Sequence, residues 1–389
     1  MWAATLVIAL AGCRSEQSRT GETMPADHSS QNILEAVQSV KSNYAPDPHL
    51  TIFNVSVVHE RDRFVLKGEV ENPAAKKELL AQLAVMGVNT EDQIQVLPAP
   101  EIGDRSWGIA TVSVINVREK PGNPSEMGTQ ILTGNVFRVW EEKTNWFLVQ
   151  TPDGYPGWTE GGGFYLCTRE EADVWNNSPL LIVTAFEERI LEEPDPEAFP
   201  ISDVVMGGLV KYAGQVGIWL KVQLPDGRIG YMPKSSAVDY AEWRASRHAT
   251  PGNIERTAKS FLGRPYFWGG NSIRGMDCSG LTKLTFFLNG IELHRNAAQQ
   301  MVDGLDVPID ADLSELKKGD LLFFGRRAEG STPEKITHVG IYLGDKLFIQ
   351  SSETVHISSL DPDSPIRDAK QIRRLLHARR VLRQPEPRS

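Results

Sequence analysis

The period of the apolar positions changes several times along the first hundred residues, and each change marks an element. Ile33, Val37 and Val40 are spaced for one face of a helix. Thr51–His59 then alternates, with Ile52, Asn54, Ser56 and Val58 on one side and Phe53, Val55 and Val57 on the other, which predicts a strand. Arg63–Val70 reads as a second strand, and Asn72-Pro73 breaks it. Ala74–Met86 carries Leu79, Leu80, Leu83 and Val85 as a strong helix, Ile94–Leu97 is a short strand, and Pro98 to Pro100 marks a boundary.

The next stretch contains a repeat. Trp146-Phe-Leu-Val-Gln-Thr-Pro-Asp-Gly-Tyr155-Pro-Gly-Trp158 returns 73 residues later as Trp219-Leu-Lys-Val-Gln-Leu-Pro-Asp-Gly-Arg228-Ile-Gly-Tyr231. Each copy reads as two short strands around a Pro-Asp-Gly turn. Further short strands lie upstream, Ser113–Val117 and Val136–Trp140 in the first copy, Leu181–Ala185 and Gly208–Tyr212 in the second. A repeat of this length predicts two copies of one small β-barrel. The barrels resemble bacterial SH3-like domains, which commonly accompany wall hydrolases. The unit before them resembles, in element order only, the small periplasmic module called BON.

From Ala258 the pattern changes again. Gly263, Pro265, Gly269 and Gly270 crowd an aromatic loop. Asp277-Cys278-Ser279-Gly280 then opens an amphipathic helix, with Leu281, Leu284, Phe287 and Leu288 on one side and Gly290 as its stop. Leu316 to Phe324 gives a turn and an apolar strand. Thr337–Leu343 is another, with Val339, Ile341 and Leu343 on one face and His338, Gly340 and Tyr342 on the other. Gly344-Asp345-Lys346 turns the chain and Leu347–Ser351 returns. A two-residue turn would pair position 338 with 351. An odd loop or a bulge would pair 340 with 350 and set Gln350 diagonal to His338 on its own face, which is the arrangement expected.

Composition adds exclusions. At 389 residues the chain is too long for one compact domain. Its net charge of −9, with 50 acidic against 41 basic residues, argues against a nucleic-acid binder. No run of 18 apolar residues is present, so no spanning helix is expected. Three cysteines, Cys13, Cys167 and Cys278, cannot form a disulfide framework, and each needs its own explanation. Cys13 ends an apolar opening, and Leu10-Ala11-Gly12-Cys13 resembles a bacterial lipobox, which implies a lipidated Cys13 and anchoring at a membrane surface, although no Lys or Arg precedes the apolar run. Arg14 to about Ser30 reads as a flexible leash. Cys167, just after the first barrel, has no ligand-spaced partner and reads as a buried packing residue. Cys278 falls at a helix N-terminus, where the helix dipole favours a thiolate. That position suits a nucleophile and a capped structural cysteine equally. A nucleophile needs an imidazole base with an orienting group, and His338 fits best, with His356 and His294 as rivals.

Gly263-x-Pro265-Tyr266-x-Trp268-Gly-Gly, Asp277-Cys-Ser-Gly, Lys318-Gly-Asp-Leu-Leu-Phe-Phe and His338-Val-Gly-Ile-Tyr together resemble the NlpC/p60 cysteine peptidases over residues 250–383. With the SH3-like pair, the whole resembles the wall-peptide endopeptidases that cut γ-D-glutamyl–diamino acid bonds. The resemblance implies a multidomain α+β protein: a papain-like catalytic domain preceded by two SH3-like β-barrels and an N-terminal α+β module. The corresponding division is signal 1–13, linker 14–30, α+β module 31–102, barrels 103–178 and 179–245, and peptidase domain 246–389. It further implies Cys278 as nucleophile, His338 as base and Gln350 as the third polar residue, with an oxyanion held by the Cys278 backbone N–H and Tyr266. Trp268 would wall the cleft. Asp277 and Ser279 would bind the free amine of a stem peptide's N-terminal L-Ala, and Tyr155 would close that end. Glu126 lies two positions from where relatives carry an acid, and Asn296 stands where they often have Asp. No metal or organic cofactor is implied. The expected partners are peptidoglycan stem peptides and, through Cys13, the periplasmic side of a bacterial membrane. An amidase or acyltransferase on another envelope substrate, and a non-catalytic wall-binding protein, remain the alternatives.

Overall fold

The computed structural model describes residues 26–60 and 63–382. Cys13 and most of the stretch expected as a leash lie outside them.

The N-terminal unit runs α1 (Ala26–Tyr44), β1 (Phe53–Glu60), β2 (Arg63–Val70), α2 (Pro73–Val85) and β3 (Thr90–Val96). The helix begins earlier than its apolar positions suggested, inside the stretch assigned to the linker, because polar residues extend a helix that a buried face already anchors. β1 and β2 are antiparallel, and α2 crosses over to bring β3 parallel to β2. Asn72 caps α2 through the Ala74 N–H, with Pro73 at the first helical position. Ile33, Val40, Leu66, Val70, Leu79 and Leu83 form the core between helices and sheet. Ile52 leaves that core and is buried in the first barrel's.

The barrels are two seven-stranded antiparallel sheets, one from Trp107 to Cys167 and one from Leu180 to Asp239. Their repeated hairpins share one register: Trp146 pairs with Glu160 and Gln150 with Pro156 in the first, Trp219 with Pro233 and Gln223 with Ile229 in the second. Gly154 and Gly227 both take a positive φ at the turn, 86° and 90°, which a residue with a Cβ adopts only at a cost. Cys167 does not follow the first barrel, as its place in the sequence suggested. It ends the barrel's last strand, opposite Trp107.

The C-terminal domain is a six-stranded antiparallel sheet in the order Leu305–Val307, Leu375–Arg380, Leu321–Arg326, Lys335–Gly344, Leu347–Ser351, Val355–Ser359. The Cys278–Phe287 helix lies against it, packing Leu281 and Leu284 on Val339, Ile341 and Ile349. This helix is not amphipathic, as its pattern suggested, but buried nearly all round, Thr282 and Thr285 included. The sheet covers one side, and the second side is covered by residues from other elements. Thr282 is satisfied by donating to the Gln300 side-chain oxygen at 2.7 Å, and Lys283 pairs with Asp153 of the first barrel at 3.1 Å.

Candidate active site

Asp277 is the N-cap of the Cys278–Phe287 helix, and its side chain accepts the Gly280 N–H at 2.7 Å. Cys278 is therefore the first helical residue, and its backbone N–H has no intrahelical acceptor. Its sulfur is within reach of the backbone N–H groups of Ser279 and of Val339, the residue that follows His338. The Thr337–Leu343 stretch of the central strand thus delivers His338 beside the helix start. The helix position was expected to favour a thiolate, but the opposite holds. Burial pushes the Cys278 thiol up to about 12, the neighbouring Asp277 charge adds to this, and the nearby N–H groups and Arg295 only partly offset it.

The expected hairpin is present. The turn at Asp345-Lys346 has two residues with positive φ, and a bulge between Tyr342 and Gly344 shifts the register so that Ile341 faces Ile349. Gln350 then lies diagonal to His338, and His338 Nε2 is 2.6 Å from Gln350 Oε1. The orientation of that amide is set on its other side, where Gln350 Nε2 donates to Asp368 Oδ2 and Ser358 Oγ, each at 2.9 Å. A carboxylate can only accept, so the amide nitrogen must face Asp368 and the oxygen must face the imidazole. His338 therefore carries its proton on Nε2, and Nδ1 keeps the lone pair. Burial lowers the His338 pKa to about 4, with Arg374 acting in the same direction and the Gln350 bond and Asp368 opposing it. The resting site is a neutral thiol beside a neutral base. Of the rival histidines, His294 is held by Asp303 at 2.8 Å, and His356 donates its Nδ1–H to the Thr354 carbonyl at 2.9 Å and stands across from Gln350 on the neighbouring strand.

Tyr266 is half-buried. Burial pushes its hydroxyl upward, and the nearby Asp277 charge and any ionisation of Cys278 act in the same direction, so it stays a hydrogen-bond donor. Trp268 is 58% exposed, on the rim rather than within a wall.

Two expected binding groups are differently engaged. Asp277 Oδ1 accepts from the Gly280 N–H, Ser279 Oγ at 3.1 Å and Arg295 Nη1 at 3.2 Å, while Oδ2 accepts from the Gly269 N–H at 3.0 Å and Arg295 Nη2 at 2.7 Å. Five donors fill the carboxylate's lone-pair sites, which leaves no acceptor there for a substrate amine. Ser279 is likewise held between Asp277 and Arg295 Nη1, the latter at 2.9 Å. The pair expected to read the amine is thus already engaged by Arg295 and by the Gly269 and Gly280 N–H groups. Arg295 is buried and also donates to Thr129 Oγ1 of the first barrel at 3.0 Å.

Tyr155 is 5% exposed, at the edge where the first barrel meets this domain. The Asn296 side chain lies near the Tyr155 hydroxyl, and a Cβ at residue 128 would stand 2.5 Å from the same oxygen, so Gly128 is what lets the ring in. Burial pushes the Tyr155 hydroxyl upward, Arg295 opposes this, and Glu119 and Glu126 add to it. Glu126 is exposed and touches the site only through that field. Arg228, at the matching turn of the second barrel, instead bonds Asp226, Ile201 O and Thr111 O and approaches no catalytic group.

Asp368 and Arg295 are the residues that sequence reasoning missed. Asp368 lies 18 residues beyond Gln350 in a polar loop with no motif around it. Arg295 had a signal, in that a lone Arg follows the apolar helix in a segment matched to the family pattern.

Comparison with known proteins agrees with this geometry. Residues 263–374 match the NlpC/P60 family, and residues 117–160 match the bacterial dipeptidyl-peptidase SH3 domain. The chain is 29% identical over 272 residues to the dipeptidyl-peptidase 6 of Lysinibacillus sphaericus, covering 66% of this chain and 93% of that one. It is 31% identical over 234 residues to the gamma-D-glutamyl-L-lysine dipeptidyl-peptidase of Bacillus subtilis, covering 58% of this chain and 72% of that one. A crystal structure of an NlpC/P60 family protein from Bacillus cereus superposes with a TM-score of 0.60 at 25% identity, covering 72% of this chain and all of the other. The chain belongs to the NlpC/P60 family of peptidases.

Proposed function

We propose that this peptidase cuts the bond between γ-D-glutamate and the diamino acid of peptidoglycan stem peptides, acting on peptides with a free N-terminal L-Ala. The observation that carries the reading is the chain from Asp368 through Gln350 to His338 Nε2, which leaves Nδ1 as the basic nitrogen on the residue whose neighbour Val339 presents its N–H to the Cys278 sulfur. The names of the relatives, which specify γ-D-glutamyl-L-lysine, support the choice of bond.

In the first half-reaction, the Cys278 Sγ–H proton passes to His338 Nδ1 as sulfur attacks the γ-carbonyl carbon of D-Glu. The oxyanion is met by the Cys278 N–H and the Tyr266 hydroxyl. The C–N bond breaks as His338 returns the proton to the leaving amine of the diamino acid, and a thioester remains on Cys278. In the second, His338 takes a proton from water, hydroxide adds to the thioester, and L-Ala-D-Glu leaves as Sγ is reprotonated. Gln350 cannot offset the imidazolium with a charge of its own, but Asp368 stands one hydrogen bond behind it. Because the thiol and imidazole both start neutral, the proton transfer accompanies attack rather than preceding it. We place the enzyme in the cell envelope, anchored through Cys13.

Digestion of L-Ala-γ-D-Glu-L-Lys and its meso-diaminopimelate counterpart tests this. Mass spectrometry is expected to find L-Ala-D-Glu and the free diamino acid. Release of free L-Ala, or an unchanged tripeptide, would sink the proposal.

A further inference from the structure

The Asp47–Leu50 loop of the N-terminal unit reaches across the first barrel to the Tyr155 end of the site. Asp47 Oδ2 accepts from Gln299 Nε2 at 2.7 Å. Gln299 Oε1 in turn accepts the Asn296 N–H at 3.1 Å, and the Asn296 side chain lies near the Tyr155 hydroxyl. The His49 ring lies stacked on that of Tyr155, with centroids 5.5 Å apart and planes 18° apart. Gln150 Nε2 ties the loop down, donating to Leu50 O at 2.9 Å and to Gly154 O at 3.0 Å. The loop is also braced within itself: Asp47 accepts the His49 N–H at 2.8 Å through Oδ1 and the Leu50 N–H at 3.1 Å through its carbonyl. Its parent unit is fixed to the first barrel by the burial of Ile52, the Lys143–Glu69 ion pair at 2.8 Å and the Ala99 N–H to Trp140 O bond at 2.7 Å. This is a built wall, held from both sides.

Charge at this wall is unevenly placed. Asp277 is neutralised by Arg295 and has no lone pair left. Position 128 has no side chain, and Asn296 is uncharged. Among the described residues, each Asp47 carboxylate oxygen has one donor, Gln299 Nε2 on Oδ2 and the His49 N–H on Oδ1, and no basic side chain lies within salt-bridge distance. A substrate ammonium at the Tyr155 end needs a carboxylate with spare acceptor capacity. Glu126 and Glu119 act on Tyr155 from the barrel, and Asp47 lies two residues before His49, whose ring is stacked on that of Tyr155.

We propose that the Asp47–Leu50 loop forms the outer wall of the substrate cleft, with Asp47 holding the peptide's N-terminal ammonium and His49 setting the length limit over Tyr155. The inference rests on the peptidase reading above and extends it to a unit outside the catalytic domain. Both are specificity-determining residues and neither touches the reacting atoms.

The test uses the full chain and three substrates: the free tripeptide, its N-acetyl form, and the tripeptide extended by one N-terminal Ala. Asp47→Asn keeps an acceptor for Gln299 and removes the charge. It is expected to raise KM for the free tripeptide by about tenfold or more, the scale of one charge-assisted hydrogen bond, with kcat little changed and no effect on the acetylated form. Asp47→Glu should recover part of the loss, which a merely structural role would not show. His49→Ala should raise kcat/KM on the extended peptide by about tenfold while sparing the free tripeptide. The inference is overturned if both variants keep wild-type preferences among the three substrates, or if Glu126→Gln raises KM and Asp47→Asn does not. Should the wild type cleave the free tripeptide and Cys278→Ala not, the peptidase reading survives that failure. A wild type that cleaves none of the three removes both.

Discussion

Cys167 and Cys278 are both buried, and burial pushes both thiols up to about 12. By acidity alone the two sites are indistinguishable. What separates them is company. Cys167 closes a barrel strand and packs among Ile109, Ala172, Trp175 and Ile182. Cys278 opens a helix and has backbone donors at its sulfur, with the Asp368–Gln350–His338 chain beside it. A depressed resting pKa is therefore not what marks the proposed nucleophile here. An adjacent base in a fixed tautomer is.

The sharpest way to break this comparison is to remove each thiol. Cys278→Ala is expected to lower kcat/KM on the tripeptide by about a thousandfold or more, while Cys167→Ala stays near wild type. Comparable losses in both would mean that activity follows packing instead of chemistry. His338→Ala should cost about 10²–10⁴ in kcat, the usual range for a general base. Asp368→Asn should cost about tenfold at most. It frees the Gln350 amide to turn over, and its effect should vanish in a His338→Ala background, a coupling that kinetics on the double variant would read.

The comparison can also be sharpened through stability. Cys167→Ser places a hydroxyl in an apolar cluster and should lower the unfolding free energy by about 1–3 kcal/mol, read as a shift of the denaturant midpoint without change of slope. The smallest expected effect is on pH. The His338 pKa is about 4 folded and about 6.5 unfolded. Between those values the unfolded chain binds a proton that the folded chain does not, so stability is full above about pH 6.5 and falls as pH drops toward 4. For the same reason kcat/KM in the free enzyme should hold to well below pH 6.5, and an acid limb at or above 6.5 would contradict a buried, neutral His338.

Much of this was legible in the sequence because it depends on local spacing. The αββαβ order, the repeated hairpin and the helix start at Cys278 come from period, turn chemistry and capping. The diagonal placement of Gln350 also followed, since only an even or odd register was possible and one of the two set a polar partner on the His338 face. The rest was hidden for a physical reason. Asp368, Arg295 and the Asp47 loop act through tertiary contacts between segments far apart in sequence, and no periodicity encodes those. The thiolate expectation failed because a helix dipole is a local feature, whereas desolvation depends on everything packed around the sulfur. Asp277 reads in the sequence as an N-cap with a free oxygen, and the cation that occupies that oxygen lies 18 residues away.

The central claim is that Cys278 attacks the γ-D-glutamyl carbonyl. Rapid acid quenching during turnover of L-Ala-γ-D-Glu-L-Lys, followed by peptide mapping, tests it directly. An L-Ala-D-Glu adduct is expected on the peptide containing Cys278 and none on that containing Cys167. Turnover with no adduct on Cys278, or an adduct of any other mass there, would contradict it.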